Sequence, residues 1–80
     1  MSNTNSENVD VLDLRGLKCP LPVLKADKAI KQLEKGALLW LETTDPLAVI
    51  DIPAFCNEKG HKLVKAEETE VFHRFLVERG

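Results

Sequence analysis

The segment that most constrains the fold is residues 14–22 (LRGLKCPLP), which joins a strand-like run to a helical pattern. Proline is best tolerated in the first turn of a helix, where its missing N–H is not needed and its fixed φ is already helical. Pro20 and Pro22 therefore predict a first helical turn, and Gly16 gives the chain freedom to bend after the strand. Cys19 is then expected at the mouth of the helix.

The rest of the chain continues with alternating strand-like and helix-like patterns. Apolar side chains recur at helical spacing over residues 21–35, and Gly36 follows where a glycine commonly ends a helix. After Asp45 we expect one helical turn and then a break, because Pro53 inside a helix costs about 3 kcal/mol. A second helix is expected to begin with Asp51 as its N-cap. The strands are predicted over residues 9–14, 37–43, 62–66 and 71–77, with the second helix ending at Gly60 and a turn at residues 67–70.

This order of elements, β-α-β-α-β-β, predicts an α+β fold. Strand–helix–strand connections are right-handed crossovers between parallel strands, so the first three strands run the same way and the last one is antiparallel. The result is a two-layer sandwich, with two helices on one face of a mixed four-stranded sheet. The most apolar strands, at residues 37–43 and 71–77, are expected in the centre. Cys19 and Asp45 are then expected at the same end of the sheet, after the carboxyl ends of parallel strands.

Size and charge limit the classes of function. The chain has 80 residues and a net charge of −2, which predicts one small domain over residues 9–80 after a disordered polar tail at residues 1–8. A general nucleic-acid binder needs a basic surface, so we expect no direct nucleic-acid partner. The sequence shows no long apolar span and no start typical of a signal peptide, so we expect a cytoplasmic protein without a membrane partner. We also expect a monomer. Two cysteines are too few for a disulfide scaffold.

Cys19 is the candidate catalytic residue. Free cysteines are often small buried hydrophobic residues, but this one lies among charged residues, glycine and proline at a loop–helix junction. The positive end of the helix dipole, together with Arg15 and Lys18, is expected to favour the thiolate, which is the nucleophilic form.

The reactions open to this sulfur are narrowed by what the sequence lacks near it. A cysteine hydrolase needs a base, but His61 is expected at the far end of the molecule and His73 inside a strand. A dithiol redox motif needs a cysteine at position 22, where Pro22 stands. Zinc ligands are also missing, and no cofactor is expected. A persulfide or a mixed disulfide remains possible, and Cys56 is interpreted as a core residue.

A row of lysines follows one flank of the first predicted helix. Such a row is usually a solvated face, but next to Cys19 it offers a second hypothesis, in which Lys25 and Lys28 steer an acidic partner.

Residues 14–22 resemble the Cys-Pro-x-Pro signature of the TusA/SirA-like sulfur-carrier family. Residues 44–46, 51–56 and 60–61 resemble the second conserved block of that family in order and spacing, and the resemblance covers about residues 9–78. It implies a βαβαββ sandwich. It also implies that Cys19 accepts sulfane sulfur as a persulfide, with Pro20 and Pro22 supporting the site and Arg15, Gly16 and Asp45 matching the family pattern.

The partners that this resemblance implies are a cysteine desulfurase or rhodanese-like sulfur donor and a downstream sulfur-acceptor protein. In relatives the sulfur reaches 2-thiouridine in tRNA, the molybdenum cofactor or sulfur-oxidation pathways. The alternative hypothesis is a non-enzymatic interaction or redox-regulatory module, in which Cys19 only forms reversible mixed disulfides. Loading with sulfur distinguishes the two.

Overall fold

The computed structural model describes residues 9–80, so the tail predicted at residues 1–8 lies outside the described residues. The elements follow in the predicted order β-α-β-α-β-β, which confirms the α+β class. Their bounds are β1 Asp10–Leu14, α1 Leu21–Lys31, β2 Leu38–Thr43, α2 Ala48–Lys59, β3 Lys62–Glu68 and β4 His73–Glu78.

The four strands form one mixed sheet in the order β1-β2-β4-β3. Strand β1 is parallel to β2, while β4 is antiparallel to both of its neighbours, so β1, β2 and β3 run in the same direction. The two strands predicted to be central, β2 and β4, are central. Leu14 pairs with Thr43 at the carboxyl ends of β1 and β2, which brings the loops after these strands side by side.

Both helices cover the same face of this sheet and form the core with it. In β2 the side chains alternate, with Leu39, Leu41 and Thr43 buried beneath the helices. This alternation is what a strand covered on one face requires. The buried apolar residues are Leu14, Ala26, Ile30, Leu39, Leu41, Ala48, Ile52, Phe55, Cys56, Phe75 and Val77.

Helix α2 is continuous through Pro53, so the predicted break and the restart at Asp51 are wrong. The buried residues Ala48, Ile52 and Phe55 lie on both sides of the proline and form one core-facing stripe. A break would turn half of this stripe away from the sheet. The burial of the stripe outweighs the single hydrogen bond that proline removes near the start of the helix.

Helix α1 ends at Lys31, four residues earlier than predicted, because the other end of the chain binds its last carbonyl groups. The Arg79 guanidinium donates to the carbonyl oxygens of Ile30, Lys31 and Leu33. Gly36 does not cap the helix but lies in the following turn at φ +87°, where its N–H donates to the Arg79 carbonyl over 2.8 Å.

The turn between β3 and β4 begins later than predicted. Strand β3 extends to Glu68 and β4 begins only at His73, so Val71 lies in the turn and is 72% exposed. Thr69 Oγ1 accepts hydrogen bonds from the N–H groups of Val71 and Phe72 at 3.2 and 2.9 Å, and its own hydroxyl donates to the Phe72 carbonyl. This side chain fixes the turn in a conformation that ends the ladder.

Candidate functional site

The loop that carries Cys19 is tied to the loop after β2 by two hydrogen bonds. Gly16, at φ +84°, donates its N–H to Thr44 Oγ1 over 2.8 Å. The Cys19 N–H donates to Asp45 Oδ2 over 2.7 Å, and the other carboxylate oxygen of Asp45 accepts from the Leu47 N–H over 3.2 Å. Asp45 is buried, with 9% of its surface exposed. The prediction that Cys19 and Asp45 meet at one end of the sheet is confirmed.

The two prolines place Cys19 directly before helix α1. Pro20 occupies the N-cap position, Pro22 lies in the first turn and is buried, and the Cys19–Pro20 peptide bond is cis. The Lys18 carbonyl accepts a hydrogen bond from the Leu21 N–H over 2.8 Å, which closes a turn around the cysteine. Cys19 itself is exposed, so a large partner can reach its sulfur.

The thiol lies in a groove of about 260 Å³ between the two helices. Its walls are apolar apart from two carboxylates, and no lysine or arginine lines it. The lining residues are Cys19, Pro20, Val23, Asp51, Ala54, Phe55 and Glu58.

The surroundings of Cys19 raise its pKa, so the predicted preference for the thiolate is wrong. The main cause is the nearby Asp51 carboxylate, followed by burial and by the negative charge of Asp45. A nearby negative charge disfavours a second one, and the thiolate is such a charge. The surroundings of the unloaded site therefore favour the thiol over the thiolate.

Arg15 and Lys18, the two cations that were expected to favour the Cys19 thiolate, do not line its groove. Arg15 Nε donates to Asp13 Oδ1 over 2.8 Å, and the guanidinium lies 5.7 Å from the centre of the Phe72 ring. The same contact lowers the pKa of Asp13 to about 2. Lys18 is exposed and does not line the groove of Cys19. Arg15 thus interacts with a residue of its own strand end and not with the thiol.

Lys25 and Lys28 lie away from the groove of Cys19. Together with Leu12, Ala29 and Gln32 they line a second groove of about 250 Å³, between α1 and strand β1. Val23 faces α2, and side chains two and five residues further along a helix point to its other flank. Lys25 and Lys28 therefore do not line the groove of Cys19, and their role in docking stays a prediction.

Neither histidine lines the groove of Cys19. The His61 ring lies 5.5 Å from that of Phe55, and its Nδ1 accepts from the Gly80 N–H over 3.0 Å. His73 lines a separate groove beside Val49. Within residues 9–80, no group of three or more His, Cys, Asp or Glu side chains could hold a metal ion.

Cys56 is 2% exposed within the core, as predicted, and burial raises its pKa to about 11. The groove wall that α2 contributes was not predicted from the sequence. Asp51, Phe55 and Glu58 stand four and three residues apart, a spacing that places them on one side of a helix. That signal was hidden by the expectation that the helix begins at Asp51.

Residues 10–79 match the family described as Sulfurtransferase TusA. The chain belongs to the TusA family. Two candidate sulfur carrier proteins of Neisseria meningitidis, from serogroups A and B, are each 42% identical over 71 residues, which is 89% of this chain and 96% of each relative. Membership in the TusA family and these relatives support a sulfur-carrier role.

A solved structure shows the same fold. The crystal structure of a SirA-like protein from Desulfitobacterium hafniense superimposes with a TM-score of 0.79 at 20% identity, and the match covers 90% of this chain and 99% of the other. The predicted TusA/SirA-like sandwich is thus confirmed. Within residues 9–80 of this TusA-family chain, neither helix is long and apolar enough to cross a membrane.

Proposed function

We propose that Cys19 carries sulfane sulfur as a persulfide and relays it between two partner proteins. The observation that supports this most is an exposed cysteine at a helix mouth, held by Asp45 and open to a groove. The described residues offer this sulfur no histidine base, no second thiol and no metal group. Transfer of sulfur between thiols needs none of these groups.

The proposed step balances without an external oxidant or reductant. The Cys19 sulfur, once deprotonated, attacks the terminal sulfur of a donor persulfide. A bond forms between Cys19 Sγ and that sulfur, the donor S–S bond breaks, and the donor cysteine leaves as a thiolate that takes up a proton. The same exchange with an acceptor cysteine unloads the carrier.

The partners of this step are a cysteine desulfurase or rhodanese-like donor and a sulfur-acceptor protein. The destination belongs to tRNA thiolation, molybdenum-cofactor synthesis or general sulfur trafficking. We place the reaction in the cytoplasm, because the thiol must stay reduced between loadings.

Contact with these partners is proposed for the exposed surface around Cys19. Leu21 and Leu24, which follow it in α1, are 44% and 58% exposed and offer apolar contact area. Lys25 and Lys28 are proposed as a more distant docking element for an acidic part of a partner, since they line their own groove.

Mass spectrometry tests the proposal. The protein is incubated with a cysteine desulfurase and cysteine, and its peptides are mapped without reductant. We expect one added sulfur on the Cys19 peptide, removed by reductant, absent in Cys19→Ser and retained in the matched control Cys56→Ser. If no donor adds sulfur although Cys19 can be alkylated, the interaction-module alternative replaces the carrier function.

A further inference from the structure

Asp51 shares the groove of Cys19 but comes from the opposite wall. It lies in the first turn of α2 and is half-buried. The groove residues around it are mostly apolar, and no lysine or arginine is among them. A carboxylate in such surroundings is poorly screened and acts strongly on an ionisable group beside it.

We infer that Asp51 is a positioning residue for sulfur transfer, which holds the unloaded Cys19 in its thiol form until a donor protein neutralises the carboxylate. This rests on the proposed function, because it concerns the attack of the same sulfur. Asp51 is the leading cause of the raised thiol pKa, which agrees with the shared groove.

The other charged groups near the thiol are less suited to this role. Asp45, in the loop before α2, already accepts the N–H groups of Cys19 and Leu47. Glu58 lies two turns after Asp51 in α2, lines the same groove and is not among the causes of the raised thiol pKa. On the loop of Cys19 itself, Arg15 is bound to Asp13 and Lys18 lies outside the groove.

The role of Asp51 limits which sulfur donors can react with Cys19. The thiol proton must leave before Cys19 can attack a persulfide, and it is released most easily when Asp51 is neutralised. A donor that brings an arginine or lysine side chain into the groove would do so, and the proton would end on the departing donor cysteine. In the absence of such a partner, the thiol reacts slowly with other electrophiles.

The test is the pH profile of Cys19 alkylation by iodoacetamide, resolved by peptide mass spectrometry. We expect Asp51→Asn to move the midpoint to lower pH. If the midpoint moves down by about one pH unit, the rate near pH 7.5 should rise about threefold, because the gain in thiolate is partly offset by lower nucleophilicity. Asp51→Glu keeps the carboxylate and should keep the midpoint close to that of the native protein. Glu58→Gln is the matched control and should not move it.

Two results overturn the inference: a midpoint unmoved by Asp51→Asn in a folded protein, or an equally large change of the midpoint in Glu58→Gln. The alkylation assay contains no sulfur donor, so it stands apart from the carrier function. Loading with inorganic polysulfide is measured separately. If the protein loads sulfur but its alkylation midpoint does not change in Asp51→Asn, only this inference is contradicted. If the midpoint moves to lower pH in Asp51→Asn but the protein never loads sulfur, the proposed function is contradicted.

Discussion

The two cysteines of this chain both have a raised pKa, but the causes lie in different surroundings. At Cys19, which is exposed, the rise comes first from the carboxylate of Asp51. At Cys56, which is 2% exposed, it comes from burial alone. A partner can reverse the first cause by bringing a positive charge, whereas only unfolding can reverse the second.

The surroundings of the two cysteines also differ in what each thiol can contact. Cys56 lies on the core-facing side of α2 and has no access to an electrophile in solution. Cys19 adds nothing to the core, and the hydrogen bond that positions it comes from its backbone N–H and leaves its sulfur out. The chain thus has one thiol suited to reaction and one suited to packing.

The largest expected effect is on alkylation. In the folded protein we expect iodoacetamide to modify Cys19 at least about a hundredfold faster than Cys56, because Cys56 reacts only after the core opens. Peptide mapping over a time course measures both rates. Addition of urea should abolish the difference, and comparable rates without denaturant would contradict the separation of the two thiols.

Substitutions at Cys56 should change the stability of the protein more than substitutions at Cys19. We expect Cys56→Ser to lower the free energy of unfolding by about 1–3 kcal/mol, because it buries a hydroxyl in an apolar cluster. Cys56→Ala should cost less, about 1 kcal/mol, since it removes one buried atom without adding a polar one. Urea titration measures these values, and Cys19→Ser, the exposed control, should leave the midpoint unchanged. A large loss at position 19 would assign that side chain a structural role.

The order of the elements, the strand directions and the meeting of Cys19 and Asp45 could be predicted from the sequence, because they depend on local sequence patterns. Prolines and glycines mark the ends of elements, and hydrophobic periodicity distinguishes strands from helices. The crossover rule then gives the direction of the strands and brings Cys19 to Asp45. All of these inferences use neighbours in the chain or a general rule of topology.

The parts that could not be predicted depend on contacts between distant residues. Helix α1 ends early because Arg79 reaches its last carbonyl groups from the other end of the chain. Helix α2 passes through Pro53 because its stripe is buried against the sheet. The pKa of Cys19 rises because Asp51 faces it, while Arg15 is occupied by Asp13. In each case the local sequence pattern predicted the wrong helix boundary or the wrong direction of the pKa shift.

The smallest expected effect, and the one that isolates Cys56, is the dependence of stability on alkaline pH. The folded pKa of Cys56 is about 11, whereas an unfolded cysteine titrates near about 8.5. Below the unfolded pKa both states hold the proton, so the contribution of Cys56 is fully present. As the pH rises from about 8.5 through about 11, the unfolded state loses its proton first, and stability falls.

We therefore expect the urea midpoint of Cys19→Ser, in which Cys56 is the only thiol, to fall across this window more steeply than that of the double variant Cys19→Ser/Cys56→Ala. Other groups titrate equally in both proteins, so the difference belongs to Cys56. Parallel midpoints would mean that this thiol ionises as easily in the folded protein as in the unfolded chain, which its burial in the core does not allow.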